Sequence, residues 1–387
     1  MNNLTKENLR NEVISVLRKQ GYRFSDGKFA LKDNSREIKR EAHTMAKAER
    51  INSSEDFIVK NIDLIKGYMI DGEKLDINKI DPKIIEVKAG TKYEAIYRWW
   101  NLVWWSLPYE RAYGRQMRLI VWDKYHDAPI GLIGLQSPIL SWSVRDKYLG
   151  IESKNRDYWV NQSMSAQRLG ALPPYNYVLG GKLVASLMTS SVIRNKFKKK
   201  YSGQKTVLKN RSIPPRLLFI TTTGAYGKSS VYNRLKFKNE FISKFIGYTK
   251  GSGSFHIPNA LYEDFVRYLE KRHYDVRRGY GSGPSRKMRL ITQAMECLDI
   301  PNGANHGIQR AIYLFPLAEN LENIIKNNKK PIWLDRNIGE MTDYWKERWS
   351  LPRIESHKEY LEFSADKFIN ETKQEIEQYK KICKKSK

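Results

Sequence analysis

The sequence predicts a mixed α+β protein, a central mixed sheet with flanking helices, and three observations point there. Short β-rich runs recur through the middle of the chain: "QMRLIVWD", "PIGLIGLQSP" and "RLLFITTT". Between strand candidates, "YNYVLGGKLVASL" at 175–187 opens a helix on two adjacent glycines, the strand, loop, helix, strand order of an α/β unit. Both ends of the chain carry helical periodicity instead. The expected organisation is a small helical N-terminal domain over 1–90, an α/β core over 91–258, and a basic, mostly helical region over 259–387.

Element by element, "TKENLRNEVISVLRKQ" places Leu9, Val13, Val16 and Leu17 on one helical face, with Thr5 as N-cap and Gly21 as stop. A hairpin turning on Asp26-Gly27 follows, then helices near 36–50 and 54–67. Pro82 in "KLDINKIDPKIIEV" marks a boundary, because proline interrupts a helix. Four tryptophans within seven positions, Trp99, Trp100, Trp104 and Trp105, have the spacing of a buried helical face and read as core. The runs from Gln116 to Pro138 form a hairpin, and "YWVNQSMSAQRLGAL" is a further strand. "RLLFITTT" is a buried strand, "SSVYNRLKF" a short helix, and "FISKFIGYTKGSGSFHI" one or two closing strands. A charged helix runs from about Ser364.

Charge is the strongest compositional signal. Lys and Arg number 69 against 42 Asp and Glu, a formal net of +27 over 387 residues. Such an excess favours a polyanionic partner, since each phosphate neutralised releases condensed counterions. Nucleic acid is the leading candidate for that partner. From Arg194 to Arg211, "RNKFKKKYSGQKTVLKNR" has eight basic residues and no acid, and it includes Lys198, Lys199 and Lys200. "RHYDVRRGYGSGPSRKMR" at 272–289 interleaves Arg277, Arg278, Arg286 and Lys287 with tyrosine and glycine, a mix suited to backbone contact and base stacking. Arg115 and Arg118 complete the expected nucleic-acid contacts. No apolar run approaches a membrane span, and "MNNLTKENLR" lacks a signal peptide's apolar stretch, so a cytoplasmic protein away from membranes is expected. Cys297 and Cys383 are the two cysteines and have no metal-ligand spacing, so neither a disulfide framework nor a structural metal is expected.

Candidate chemistry gathers at four places. Gly180 and Gly181 either let a phosphate rest on helix N–H groups beside Lys182 or let the helix pack tightly. "TTTGAYGKSS" offers Lys228 and Ser229 after a strand, although its glycines lack P-loop spacing, and Ser229 equally suits a cap. Glu110, Asp123 and Asp146 could supply carboxylates to a metal-dependent nuclease, while Arg145 beside Asp146 equally reads as a structural ion pair. His256 and His306 lie in glycine-containing loops as general bases or loop hydrogen-bonders.

The order hairpin, strand, glycine loop, helix, strand is similar to the GNAT superfamily of N-acetyltransferases. That resemblance implies acetyl-CoA, or another phosphate-bearing ligand, at Asn176, Gly180, Gly181, Lys182, Lys228 and Ser229, with Tyr232 of "VYNRLKF" protonating the leaving thiolate. The loop departs from the superfamily in its adjacent glycines, and Lys236 stands where a glycine is usual. A longer resemblance runs through "LPYERAYGRQMRLIVWD", "IGLIGLQSPI", "RDKYLGI", "LGALPPYNYVLGGKLVASL", "ITTTGAYGKSSVYNRLKF", "IGYTKGSGSFHI" and "HGIQRAIYLFPLAEN". These blocks resemble the Druantia anti-phage defence protein A family. That implies a bacterial protein that acts on invading DNA, often encoded beside a helicase. Three readings follow: a DNA-binding defence protein on an acetyltransferase-like core, with Tyr232, Asp146 and His256 as the catalytic candidates if it is an enzyme; an active acyltransferase on nucleic acid or an associated substrate; and a metal-dependent nuclease or strand-transfer enzyme.

Overall fold

The computed structural model describes residues 5–107, 112–206, 209–277 and 285–384. At its centre is a seven-stranded sheet of β1 (Pro82–Glu86), β2 (Gln116–Asp123), β3 (Ala128–Gln136), β4 (Ser163–Ala171), β5 (Phe219–Thr223), β6 (Lys244–Tyr248) and β7 (Ala311–Pro316). The order across the sheet is β6-β7-β5-β4-β3-β2-β1. Every neighbouring pair is antiparallel except β4 and β5, which run parallel. A parallel pair needs a crossover connection. It is made here by the helices at Gly180–Leu187 and Ser191–Tyr201. The mixed α+β class is therefore the observed one.

The helices that matter below are α1 (Lys6–Lys19), α2 (Arg36–Asn52), α3 (Lys92–Val103), α4 (Gly180–Leu187), α5 (Ser191–Tyr201), α6 (Asn259–Glu270), α7 (Arg286–Cys297), α8 (Ile338–Trp345) and α9 (Ala365–Lys384). Strand β2 shows why the middle of the chain reads as continuous apolar runs. Met117, Leu119 and Val121 face one core with Leu183, Val184 and Phe197 of α4 and α5. Ile120 and Trp122 face the other, with Ile96, Trp99 and Trp100 of α3 and Ile369 and Ile376 of α9. Both faces are covered, so alternation of apolar with polar residues disappears.

A further core joins Leu9, Val13 and Leu17 of α1 to Phe265, Leu290 and Ile291 of α6 and α7. The hairpin at Tyr22–Leu31 closes on Asp26 and Gly27, both at positive φ, as a two-residue turn requires. Cores thus cut across the expected boundaries at 90 and 258, because segments distant in sequence complete each other's apolar faces. Three local expectations differ from the structure. The strand expected from Tyr158 begins at Ser163, residues 158–160 being helical. Pro82 opens edge strand β1, where its missing N–H costs no ladder bond. "SSVYNRLKF" forms turns and a short strand in place of a helix, since Tyr232 and Leu235 are buried while Lys236 begins a hairpin with Phe241. Among the described residues no helix is long and apolar enough to cross a membrane.

Candidate functional site

The glycine pair sits where the sequence places it, at the start of α4, between parallel strands β4 and β5. Its surroundings are closed. The Gly180 N–H donates to Tyr175 O at 2.8 Å, and the Lys182 N–H donates to Leu179 O at 2.9 Å. A Cβ on Gly180 would lie 2.6 Å from the Tyr175 carbonyl oxygen, whereas one on Gly181 would make ordinary contact with Val231 at 3.6 Å. The Lys182 ammonium is buried, 3.3 Å from Val231 O and 4.1 Å from the centre of the Trp349 ring. Burial lowers its pKa, and the Arg234 charge adds to the effect. From above, the Trp345 indole of α8 donates to Leu179 O at 3.0 Å. Asn176 is tied through its N–H to Leu172 O. A pyrophosphate needs free N–H groups and an open approach. At this helix start the Gly180 and Lys182 N–H groups and the lysine ammonium are engaged internally, which reduces the donors available to a phosphate.

Tyr232 also faces inward. Pairing of β4 with β5 runs as far as Ala166 and Thr222, and beyond it the Leu169 carbonyl accepts from the Tyr232 phenol at 3.1 Å. Burial holds that phenol protonated by raising its pKa. Ser229 starts the turn before it, its N–H on the Tyr313 hydroxyl at 2.9 Å. Lys228 projects from the same loop, exposed, 5.7 Å from the Phe245 ring.

Asp146 is a loop anchor by geometry. It accepts from Arg145 at 2.6 and 2.8 Å and from the Trp142 N–H at 3.2 Å, and it is ion-paired with Arg156 at 3.0 Å. Arg145, fully buried, donates onward to the carbonyls of Ile139 and Leu140. Asp123 is likewise buried, accepting from Tyr175 at 3.0 Å with His126 Nδ1 at 2.6 Å. Glu110 lies outside the described residues. Among the described residues no three His, Cys, Asp or Glu side chains converge as metal ligands would.

The two loop histidines meet a third. His43 stacks on Phe255 with ring centres 3.9 Å apart, Phe255 lies 4.6 Å from His306, and His306 lies 5.9 Å from His256. His256 Nε2 contacts Gly303 O at 2.8 Å, and Arg310 reaches His43 Nε2 at 2.9 Å. Desolvation, with some repulsion from Arg310, pushes His43 and His306 down to about 3, and burial pushes His256 down to about 4. Three neutral, packed imidazoles form a polar knot between α2 and the α6–α7 region.

The expected nucleic-acid contacts divide into engaged and presented. Arg115 is half-buried against Phe197 and Tyr201, and desolvation lowers its pKa. Arg118 is 3.6 Å from Glu94, Arg194 lies over Trp333 at 4.6 Å, and Lys200 pairs with Glu86 at 2.6 Å. Arg286 donates to Val276 O at 2.7 Å, and Lys287 lies 5.1 Å over the Tyr262 ring. Lys198, Lys199 and Arg277 are exposed. Arg278 lies outside the described residues.

A third basic stretch escaped the sequence reading. Residues 224–250 carry six basic side chains and one acid, with Phe241, Phe245 and Tyr248 exposed among them. The signal was the interleaving of Lys with aromatics already seen at 272–289, masked because the run reads equally as strands.

The family model for Druantia protein DruA matches residues 32–327. "Druantia protein DruA" of Escherichia coli (strain UMEA 4076-1) is 34% identical over 370 residues, 94% of this chain and 91% of that protein. No solved structure matches. With a family model spanning most of the chain and a relative matched almost end to end, the chain belongs to the Druantia protein DruA family of anti-phage defence proteins.

Proposed function

We propose that the protein binds DNA within its defence system and presents it to other components, among them a helicase. The observation that carries this reading is the net charge of +27 together with exposed Lys198, Lys199, Arg277, Lys228 and Lys244, whose side chains form no ion pair with a carboxylate among the described residues. Binding of a labelled duplex, followed by anisotropy over a salt series, tests it. The expected result is a steep linear fall of log affinity with log salt. An affinity indifferent to salt overturns it. Changing Lys198 and Lys199 to Ala should weaken binding to every sequence alike, because phosphate contacts carry no base information.

A second reading, an acyltransferase-like enzyme, is supported by the hairpin, strand, glycine loop, helix, parallel strand order of an acetyltransferase-like core. The engaged N–H groups of Gly180 and Lys182 weigh against it. Titration calorimetry with acetyl-CoA decides: heat saturating at one equivalent would restore the cofactor, and none would remove it.

A further inference from the structure

Strand β6 ends the sheet, pairing with β7 on one side. In a regular strand, residues three apart face opposite sides. Phe245 and Tyr248 nevertheless come together, with ring centres 5.2 Å apart. The cause is a register shift between Phe245 and Gly247, which inserts one residue and turns the following side chains over. Gly247 permits it: its φ is 139°, and a Cβ there would lie 2.8 Å from Val144. Phe245 is 42% and Tyr248 41% exposed, and Phe241, just before the strand, is 52% exposed. Lysines attend these rings, Lys236 at 4.5 Å from Phe241 and Lys228 at 5.7 Å from Phe245. Lys244 and Lys250 are exposed at the two ends of the strand.

We propose that this ledge, Phe241, Phe245 and Tyr248 with Lys228, Lys236, Lys244 and Lys250, binds single-stranded nucleic acid. The inference rests on the DNA-binding reading and names the form of the ligand. Duplex bases are already stacked on one another, so duplex phosphates would engage the lysines and leave the rings in water. Unpaired bases offer open faces that stack on aromatics, while lysines follow the backbone. Lysines on an edge strand also discourage pairing with another protein strand. A polyanion meets no such repulsion.

The test uses the full chain, a labelled oligothymidylate of about 20 nucleotides, and the same strand annealed to its complement. The intact protein should bind the single strand. F245A/Y248A should weaken single-strand binding at least tenfold and leave duplex binding within about twofold, since each stacked base contributes about fivefold or more and two rings are removed. K244A/K250A should weaken both and flatten the salt dependence. Both rings are part-covered on an edge strand, so the aromatic variant's melt is measured beside its binding, and F241A, in the neighbouring hairpin, gives an independent reading of the same loss. Duplex binding without single-strand binding overturns this inference and leaves the DNA-binding reading standing. Equal weakening of both forms by F245A/Y248A, or of neither, also overturns it. Failure of the intact protein to bind either form overturns both.

Discussion

Gly180 and Gly181 are neighbours under opposite constraints. A methyl on Gly180 would meet the Tyr175 backbone at 2.6 Å, and backbone does not swing away as a side-chain tip does. Gly180→Ala should cost about 1–3 kcal/mol. Gly181→Ala places its methyl in ordinary contact with Val231, so stability should change by under about 1 kcal/mol, in the direction of a better helix former. Urea denaturation of the two variants measures the contrast, and equal effects would refute it. From sequence the pair offered two roles, and nothing local distinguished them; the deciding atoms belong to Tyr175, Val231, Trp345 and Trp349, the last two brought in from far along the chain. Asp146 carries the same lesson. Its Arg145 neighbour was legible, but Arg156 and the Trp142 N–H were not. Asp146→Ala leaves Arg145 buried without its carboxylate, for which a loss of about 3–5 kcal/mol is expected. A variant with parental stability and altered DNA binding would contradict the anchor role.

Elements bring together what no motif spells. His43 belongs to α2, His256 precedes α6, and His306 precedes β7, yet they share one knot with Arg310 nearby and Lys287 adding to the repulsion on His256. Their folded values of about 3, 4 and 3 lie below the ordinary 6.5. A depressed value means that protonation favours the unfolded chain. Stability is therefore fully present above about pH 6.5 and falls as pH drops toward 4, by up to about 1.4 kcal/mol per pH unit for each histidine. Urea midpoints measured across that window should decline steeply; a flat profile would show the imidazoles to be solvated. Strand positions were legible because β2 and β3 are long apolar runs and β5 is short but rich in apolar and β-branched residues. The bulge in β6 was not, since its register depends on β7, a partner more than sixty residues later.

At the scale of the whole molecule, the chain's ends close its cores. Helix α9 packs on α2 and buries Ile369 and Ile376 beside Trp99 and Trp100, with Phe368 5.4 Å from the Trp100 ring. Deleting residues from Ala365 onward should remove about 3 kcal/mol or more on the strength of those two isoleucines alone. Thermal melting should show a lower, broader transition, and an unchanged melt would mean that α9 is a passive tail. Fold class and charge were readable from composition and period, whereas the sharing of cores between distant segments was not, because apolar periodicity names a buried face without naming its partner. Strand β7 carries this furthest: it lies between β5 and β6 but follows both in the chain. During synthesis, then, β5 and β6 leave the ribosome with no strand to join them, each an open edge until Ala311–Pro316 has emerged. The sheet is finished late and from within, so a nascent chain halted before residue 311 would be a ready client for chaperones and proteases.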